Sequence, residues 1–150
     1  MSTFESTIRQ INYPQQSVYS KLSDLNNLEK LKERMELMKD SMPEEARQQA
    51  EKIKDLTFDA DSMSVNVPQV GAIRLRIVDR DEPKCIKFET EQSPIPFNFW
   101  IQILPVTTMT SKMKLTIKAD LNPFIKQMVK KPLQEGIEKI ADVLQMIQYE

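Results

Sequence analysis

Polar and apolar positions alternate from the start of the chain. Phe4, Ser6 and Ile8 fall on one face and Glu5, Thr7 and Arg9 on the other, which reads as an antiparallel strand buried on one side. Tyr13-Pro14 ends it. From there to about residue 53 the period is helical. Val18, Leu22 and Leu25 form one stripe with Tyr19 beside it. Asn26 followed by Glu29 predicts a capping box opening a second helix with Leu28, Leu31, Met35 and Met38 on one face. Ser41, Pro43 and Glu44 open a third short helix through Ala46, Ala50 and Ile53, whose weakly apolar face predicts a surface position.

Between about residues 55 and 121 the period falls to two, and six strands follow with turn signals between them. Leu56, Phe58 and Ala60 lead, then Met63, Val65 and Val67 up to a turn at Pro68 and Gly71. Ile73, Leu75 and Ile77 alternate with Arg74 and Arg76 until Asp81-Glu82-Pro83. Ile86 and Phe88 oppose Cys85, Lys87, Glu89 and Glu91, and Pro94 and Pro96 then interrupt pairing because they cannot donate ladder bonds. Phe97, Phe99, Ile101 and Ile103 share one face, with Asn98, Trp100, Gln102 and Leu104 on the other. In the last strand Met113, Leu115, Ile117 and Ala119 face in, and Lys112, Lys114, Thr116 and Lys118 face out. Asn122-Pro123 then starts a long helix to about Met146, with the stripe Ile125, Met128, Val129, Leu133, Ile137, Ile140, Ala141 and Leu144. Pro132 should kink it, and Gly136 lets another element approach its backbone.

This order predicts one α+β domain over residues 1–150, a curved seven-stranded antiparallel sheet wrapped around a long C-terminal helix. The opening Phe4-Glu-Ser-Thr-Ile-Arg, followed by Tyr13-Pro-Gln-Gln-Ser-Val-Tyr-Ser-Lys-Leu-Ser-Asp-Leu25, resembles the first strand and first helix of the START-like, or SRPBCC, superfamily of birch-pollen-allergen-like proteins. Members more often carry a Trp shortly after that aspartate, where Asn26-Asn27-Leu28 stands here. The resemblance spans essentially the whole chain and implies the helix-grip fold, with a cavity between sheet and final helix that holds lipids, sterols, polyketides or other apolar molecules. Some members are cyclases or hydroxylase subunits, and others regulate partners without chemistry.

Composition narrows the chemistry. The 150 residues include no His, one Cys and two Gly, with 21 Lys+Arg against 22 Asp+Glu for a net charge of −1. A His-dependent catalytic relay, a His-ligated metal, a thiolate zinc cluster, a P-loop and a dinucleotide-binding glycine fingerprint are therefore all excluded. No metal or cofactor site is expected. The balanced charge offers no broad footprint for nucleic acid, no segment is apolar enough to insert across a membrane, and the unpaired Cys suits a cytoplasmic protein.

The expected ligand-binding cavity is lined by Phe58, Met63, Val65, Leu75, Ile77, Ile86, Phe88, Phe99, Ile101, Met113, Leu115 and Ile117 from the strands, with Met128 and Leu133 from the last helix. Thr90 and Gln92, and Ser6 and Gln10 on the first strand, are the polar groups in phase with that face. Such a lining suits an apolar small molecule oriented by one or two hydrogen bonds. The alternative is that the same side chains, with nine Met to fill gaps, leave an ordinary closed core. Every charged strand residue falls out of phase with the interior, so no catalytic residue is assigned and binding is favoured over catalysis. A cyclase-like enzyme using Thr90 or Gln92 is the third reading.

Other features read as follows. Tyr13 and Tyr19 sit near the mouth with their hydroxyls at the surface. Lys84 and Lys87 could lower the Cys85 thiol pKa, although that residue is placed outward without a partner. Trp100 either projects from the convex face, marking a contact surface for a homodimer or another chain, or is turned inward by a bulge after Pro96. Asp55, Asp59 and Asp61 lack calcium-loop spacing, and Lys126, Lys130 and Lys131 read as a solvated basic strip.

Overall fold

Strands from residue 56 onward pair with their neighbours in the chain, the two N-terminal strands join the last one, and three one-residue bulges decide which side chains turn inward. The structure, a computed structural model, describes residues 2–54 and 56–149 except for the side chains of Gln49 and Lys52. Its strands are β1 (Ser2–Glu5), β2 (Arg9–Ile11), β3 (Leu56–Phe58), β4 (Ser62–Val67), β5 (Gly71–Asp81), β6 (Cys85–Gln92), β7 (Asn98–Pro105) and β8 (Ser111–Ala119). They form one eight-stranded sheet in the order β1-β8-β7-β6-β5-β4-β3, with β2 also paired to β8 and every pairing antiparallel. The helices are α1 (Gln15–Leu22), α2 (Asn26–Leu37), α3 (Glu44–Lys54) and α4 (Pro123–Met146), with a 3-10 turn at Lys39–Ser41. The architecture is the expected antiparallel helix-grip arrangement. Among the described residues no helix is long and apolar enough to cross a membrane.

The extra strand comes from a break in the first alternation. Glu5 pairs with Thr116 and Arg9 with Met113, so four steps on one side match three on the other. Ser6 fills the gap: its N–H donates to the Leu115 carbonyl, and its hydroxyl accepts the Leu115 N–H at 2.9 Å. The phase then reverses. Ile8 swings to the outside, 64% exposed, and Arg9 turns toward α4. Both placements correct the simple alternation.

Two more bulges lie between β5 and β6. Ile77 faces Phe88 but Asp79 faces Lys87, leaving Val78 as the extra residue. Leu75 faces Thr90 but Arg74 faces Gln92, leaving Glu91 extra. The second bulge puts Gln92 on the outer row beside Arg74, exposed. The first turns Arg80 onto the inner row with Ile86, where its guanidinium donates to the Ser23 carbonyl at 3.1 and 2.9 Å and pairs with Asp61 at 2.8 Å. A cation at the last carbonyls of a helix satisfies groups that α1 leaves unbonded. Arg9, whose side chain is mostly buried, is thus an exception to the expectation that no charge faces inward, whereas Arg80 shares the inner row but stays exposed at the end of α1.

Helix ends depart from the reading in one place. Asn122 caps α4 as expected, accepting the Ile125 N–H at 2.9 Å. The predicted capping box at α2 does not form. The Asn26 N–H is taken by Asp24, and the Glu29 carboxylate accepts from the Phe58 N–H at 3.1 Å, tying α2 to β3.

The core lies between the concave sheet face and α4, with α1 closing one end. Val129, Leu133, Ile137, Ile140, Ala141 and Leu144 of α4 are buried, as are Val18, Tyr19 and Leu22 of α1. Ile125 and Met128, expected on the same stripe, are exposed in the first turns of α4, Met128 at 61%. Beyond α4, Ile147 and Tyr149 return to the core. Tyr149 is fully buried, donates its hydroxyl to the Leu144 carbonyl and meets Tyr13 edge-on at 6.1 Å.

A polar seam fixes α4 to the edge strands. Gln134 donates to the Glu5 carbonyl at 2.8 Å, and Gln145 to that of Gln10 at 3.2 Å. Between them Glu138 accepts from the Thr7 N–H and hydroxyl, and Arg9 reaches Glu138 at 2.8 Å as well as Asp142. Positions 134, 138, 142 and 145 recur at helical spacing, so one stripe supplies all four. Partial burial works to raise the Glu138 pKa, but the bonds from Thr7 and Arg9 outweigh it and leave the carboxyl below its usual range.

Two outcomes follow for stability. A group with a depressed folded-state pKa contributes stability above its unfolded pKa and loses it as pH falls through the folded value. The melting-temperature deficit of Glu138→Gln should therefore be full at pH 7 and close on acidification below about pH 4, whereas a deficit constant with pH would show that the carboxylate charge contributes nothing. Tyr149→Ala removes a fully buried ring and should cost about 3 kcal/mol in urea unfolding. A loss under about 1 kcal/mol would mean that the C-terminal turn is not part of the cooperative core.

Candidate functional site

The space between the sheet and α4 is nearly closed. Its internal void measures about 20 Å³, bounded by Val65, Val67, Ile73, Leu75, Phe97, Phe99, Ile117, Leu133, Gly136, Ile137 and Ile140. That is room for about one water molecule, against the several hundred Å³ of a typical ligand pocket. The expected open cavity is therefore not present as a wide chamber in this conformation.

Of the side chains expected to line it, Val65, Leu75, Phe99, Ile117 and Leu133 border the void. Phe58, Met63, Ile77, Ile86, Phe88, Ile101, Met113 and Leu115 are buried as expected but fill the surrounding core. Phe88 and Phe99 pack at 5.3 Å between ring centres. Thr90 is half-buried, and its hydroxyl accepts the Phe97 N–H at 3.2 Å across the hairpin interrupted by the prolines. Gln92 and Met128, both exposed, do not face the interior.

A larger space opens where the void meets the surface. A cleft of about 330 Å³ lies between the β4–β5 turn and the middle of α4. Val65, Val67 and Gly136 belong to both spaces and form the wall between them. Pro68, Gln69 and Asn66 make one side, and Lys131, Pro132, Glu135 and Lys139 the other. The sequence positions the turn: Gln69 (φ 71°) and Gly71 (φ 117°) both adopt the left-handed region, which glycine enters freely. On the helix side Pro132 has no N–H to return to the Met128 carbonyl, so one intrahelical bond is missing at the cleft. Gly136 faces Val67, and a Cβ there would stand 3.8 and 3.9 Å from the valine methyls, at ordinary contact distance. Gly136 was legible in the sequence as a point of close approach. Asn66, Gln69 and Lys139 carried no signal, because only the turn and helix packing bring them to one place.

Other candidates resolve on their geometry. Asp59 binds the Ser62 hydroxyl at 2.6 Å and Arg74 at 2.9 Å, bonds that lower its pKa, and Asp61 holds Arg80. Asp55, the third acid of that cluster, lies outside the described residues. Among those described, no group of three or more potential ligands is placed to hold a metal ion. Tyr19 is buried, which raises its phenol pKa, with the carboxylate of Glu82 adding to the shift. Cys85 is half-buried, and that burial with the charges of Asp81 and Asp79 pushes its thiol up. The shift is opposite in direction to the lowering that Lys84 and Lys87 could give.

Trp100 projects from the outer face. The β6–β7 register runs without a break from Cys85 opposite Gln102 to Glu89 opposite Asn98, so no bulge turns the indole inward. Its ring lies between Lys87 at 5.5 Å and Lys118 at 5.7 Å, cations attracted to the π-face.

No family model matches the chain, and no curated protein gives a significant match. Solved structures do resemble it. A START superfamily protein from Mycobacterium smegmatis is similar at 12% identity and TM-score 0.61, over 95% of this chain and 94% of that one. Norcoclaurine synthase from Thalictrum flavum, solved with dopamine and hydroxybenzaldehyde, is similar at 10% identity and TM-score 0.64, over 96% and 84%. A Mesorhizobium loti protein is similar at 12% identity and TM-score 0.59, over 96% and 94%. At such identities the likeness establishes architecture, and function has to come from the site. The chain has the START-like, helix-grip fold.

Proposed function

We propose that the protein binds a small apolar molecule, without chemistry on it, in the cleft between the β4–β5 turn and α4. The observation that carries this reading is the shared wall: Val65, Val67 and Gly136 separate an approximately 330 Å³ surface cleft from the void between sheet and helix. The cleft is at the lower end of ligand-pocket sizes. Its apolar inner wall suits the body of a ligand, and Lys131, Lys139, Asn66 and Gln69 at the rim suit a polar end. Entry deeper into the domain requires α4 to yield near Pro132, where an intrahelical bond is missing and the opposite flank of the helix remains held by the Arg9 seam. Arg9, turned inward, and Arg80, at the rim, are both engaged in holding helices, which supports binding as the reading.

Gly136 gives the test. Gly136→Ala fits the space beside Val67 and should raise stability by about 0.5–1 kcal/mol through helix propensity, with binding kept. Gly136→Leu should occupy the cleft. Titrated with Nile red, an uncharged probe of apolar sites, the natural protein and Gly136→Ala should show blue-shifted emission with similar affinity, and Gly136→Leu should bind about tenfold more weakly while melting as a folded protein. Equal binding by all three, or no emission shift with the natural protein, overturns the assignment.

A further inference from the structure

We propose a second site on the outer face of the sheet, a groove that docks an acidic polypeptide segment carrying a large apolar side chain. The groove holds about 360 Å³ and opens at the end of β6, β7 and β8 where β2 meets β8. It arises from the first bulge. By turning Ile8 outward, the extra residue between β1 and β2 sets an apolar side chain beside Leu104, which is also exposed. Cys85 and Gln102, both half-buried, form the recessed part.

Lysines surround this apolar floor. Lys84, Lys112 and Lys114 line the groove, and the register continues the basic strip past Gln102 to Lys87 and Lys118 on either side of Trp100. Lys114 pairs with Glu5 at 3.1 Å, whereas Lys84 and Lys112 meet no carboxylate among the described residues. A chain with a net charge of −1 thus concentrates unpaired cations around one apolar recess. Charge of one sign about a hydrophobic pocket selects a partner of opposite sign that supplies an apolar anchor.

Competing occupants fit less well. A second copy docked through the same face would bring lysine against lysine, which costs association energy. A flat lipid surface would meet the exposed Lys84 and Lys112 before reaching the half-buried Cys85. Single-stranded nucleic acid is held by rows of stacked rings, and Trp100 is half-buried between two lysines. An extended peptide can run along the lysines and lower one side chain into the recess.

This site does not depend on the cleft reading. The test uses the full chain and a fluorescein-labelled peptide of about 12 residues, glutamate-rich with one central leucine, followed by anisotropy at low salt. The peptide should bind, and replacing its leucine by serine should weaken binding about tenfold. Lys84→Glu combined with Lys112→Glu should weaken it by about tenfold or more, and Leu104→Ser severalfold. Lys126→Glu with Lys130→Glu, the same charge change on α4, should leave the affinity within about twofold. Thermal melts confirm folding of each variant, and unchanged Nile red binding separates this face from the cleft. The proposal is overturned by absence of binding, by equal losses in the two lysine pairs, or by indifference to the peptide's leucine. Tighter binding of an oligonucleotide or of anionic phosphatidylglycerol vesicles that depends on Lys84 and Lys112 also overturns it.

Discussion

The Arg9 guanidinium between Glu138 and Asp142 determines where α4 lies, and much of the interior follows from that placement. Three partly buried charges are satisfied at once, with Thr7, Gln134 and Gln145 adding bonds along the same helical stripe. Ion pairs of this sort contribute more than fully exposed ones because solvent screens them less, and removing one member strands the others. With that flank of α4 pinned to β1 and β2, the apolar stripe must face the concave sheet. The opposite flank then comes to rest beside the β4–β5 turn, where Gly136 approaches Val67.

That geometry gives an asymmetric lid. One edge of α4 is bonded to strand backbone, and the other borders a cleft at the residue where proline removes a helix bond. The gap of about 20 Å³ behind the cleft leaves room for about one water molecule between the apolar side chains that border it. Ligand uptake in such a domain is therefore coupled to helix movement, so affinity reflects the cost of opening as well as the contacts made. The same bulge that turns Arg9 inward turns Ile8 outward, so the seam and the groove on the far side of the sheet have a common origin.

Most elements were legible because period-two and period-3.6 patterns are strong in this chain. The burial of Phe88, Phe99 and Leu115 followed from alternation where the register is unbroken, whereas Trp100, left between two orientations by the sequence, is set outward by that same unbroken register. Gln92, Ile8 and Arg80 did not, since each lies just past a bulge, and a bulge leaves little trace in a single sequence. Met128 fell on the apolar stripe of α4 and is nevertheless exposed, because periodicity assigns a face without saying how far the sheet extends beneath it. Glu29 stood at capping-box spacing, yet its carboxylate is taken by the Phe58 N–H of a strand remote in sequence.

The amino-acid order by itself determined the class of fold, the elements, the faces of regular strands and the absence of histidine, cysteine-pair and glycine-loop chemistry, because these depend on local periodicity and residue type. Only the tertiary structure decided whether the interior is open, which cations turn inward, and that residues 65–69 and 131–139 meet in a cleft. Those properties depend on register shifts and on the residual volume between packed surfaces. Each is set by contacts between segments far apart in the chain, and a difference of one residue in pairing reverses every side chain beyond it.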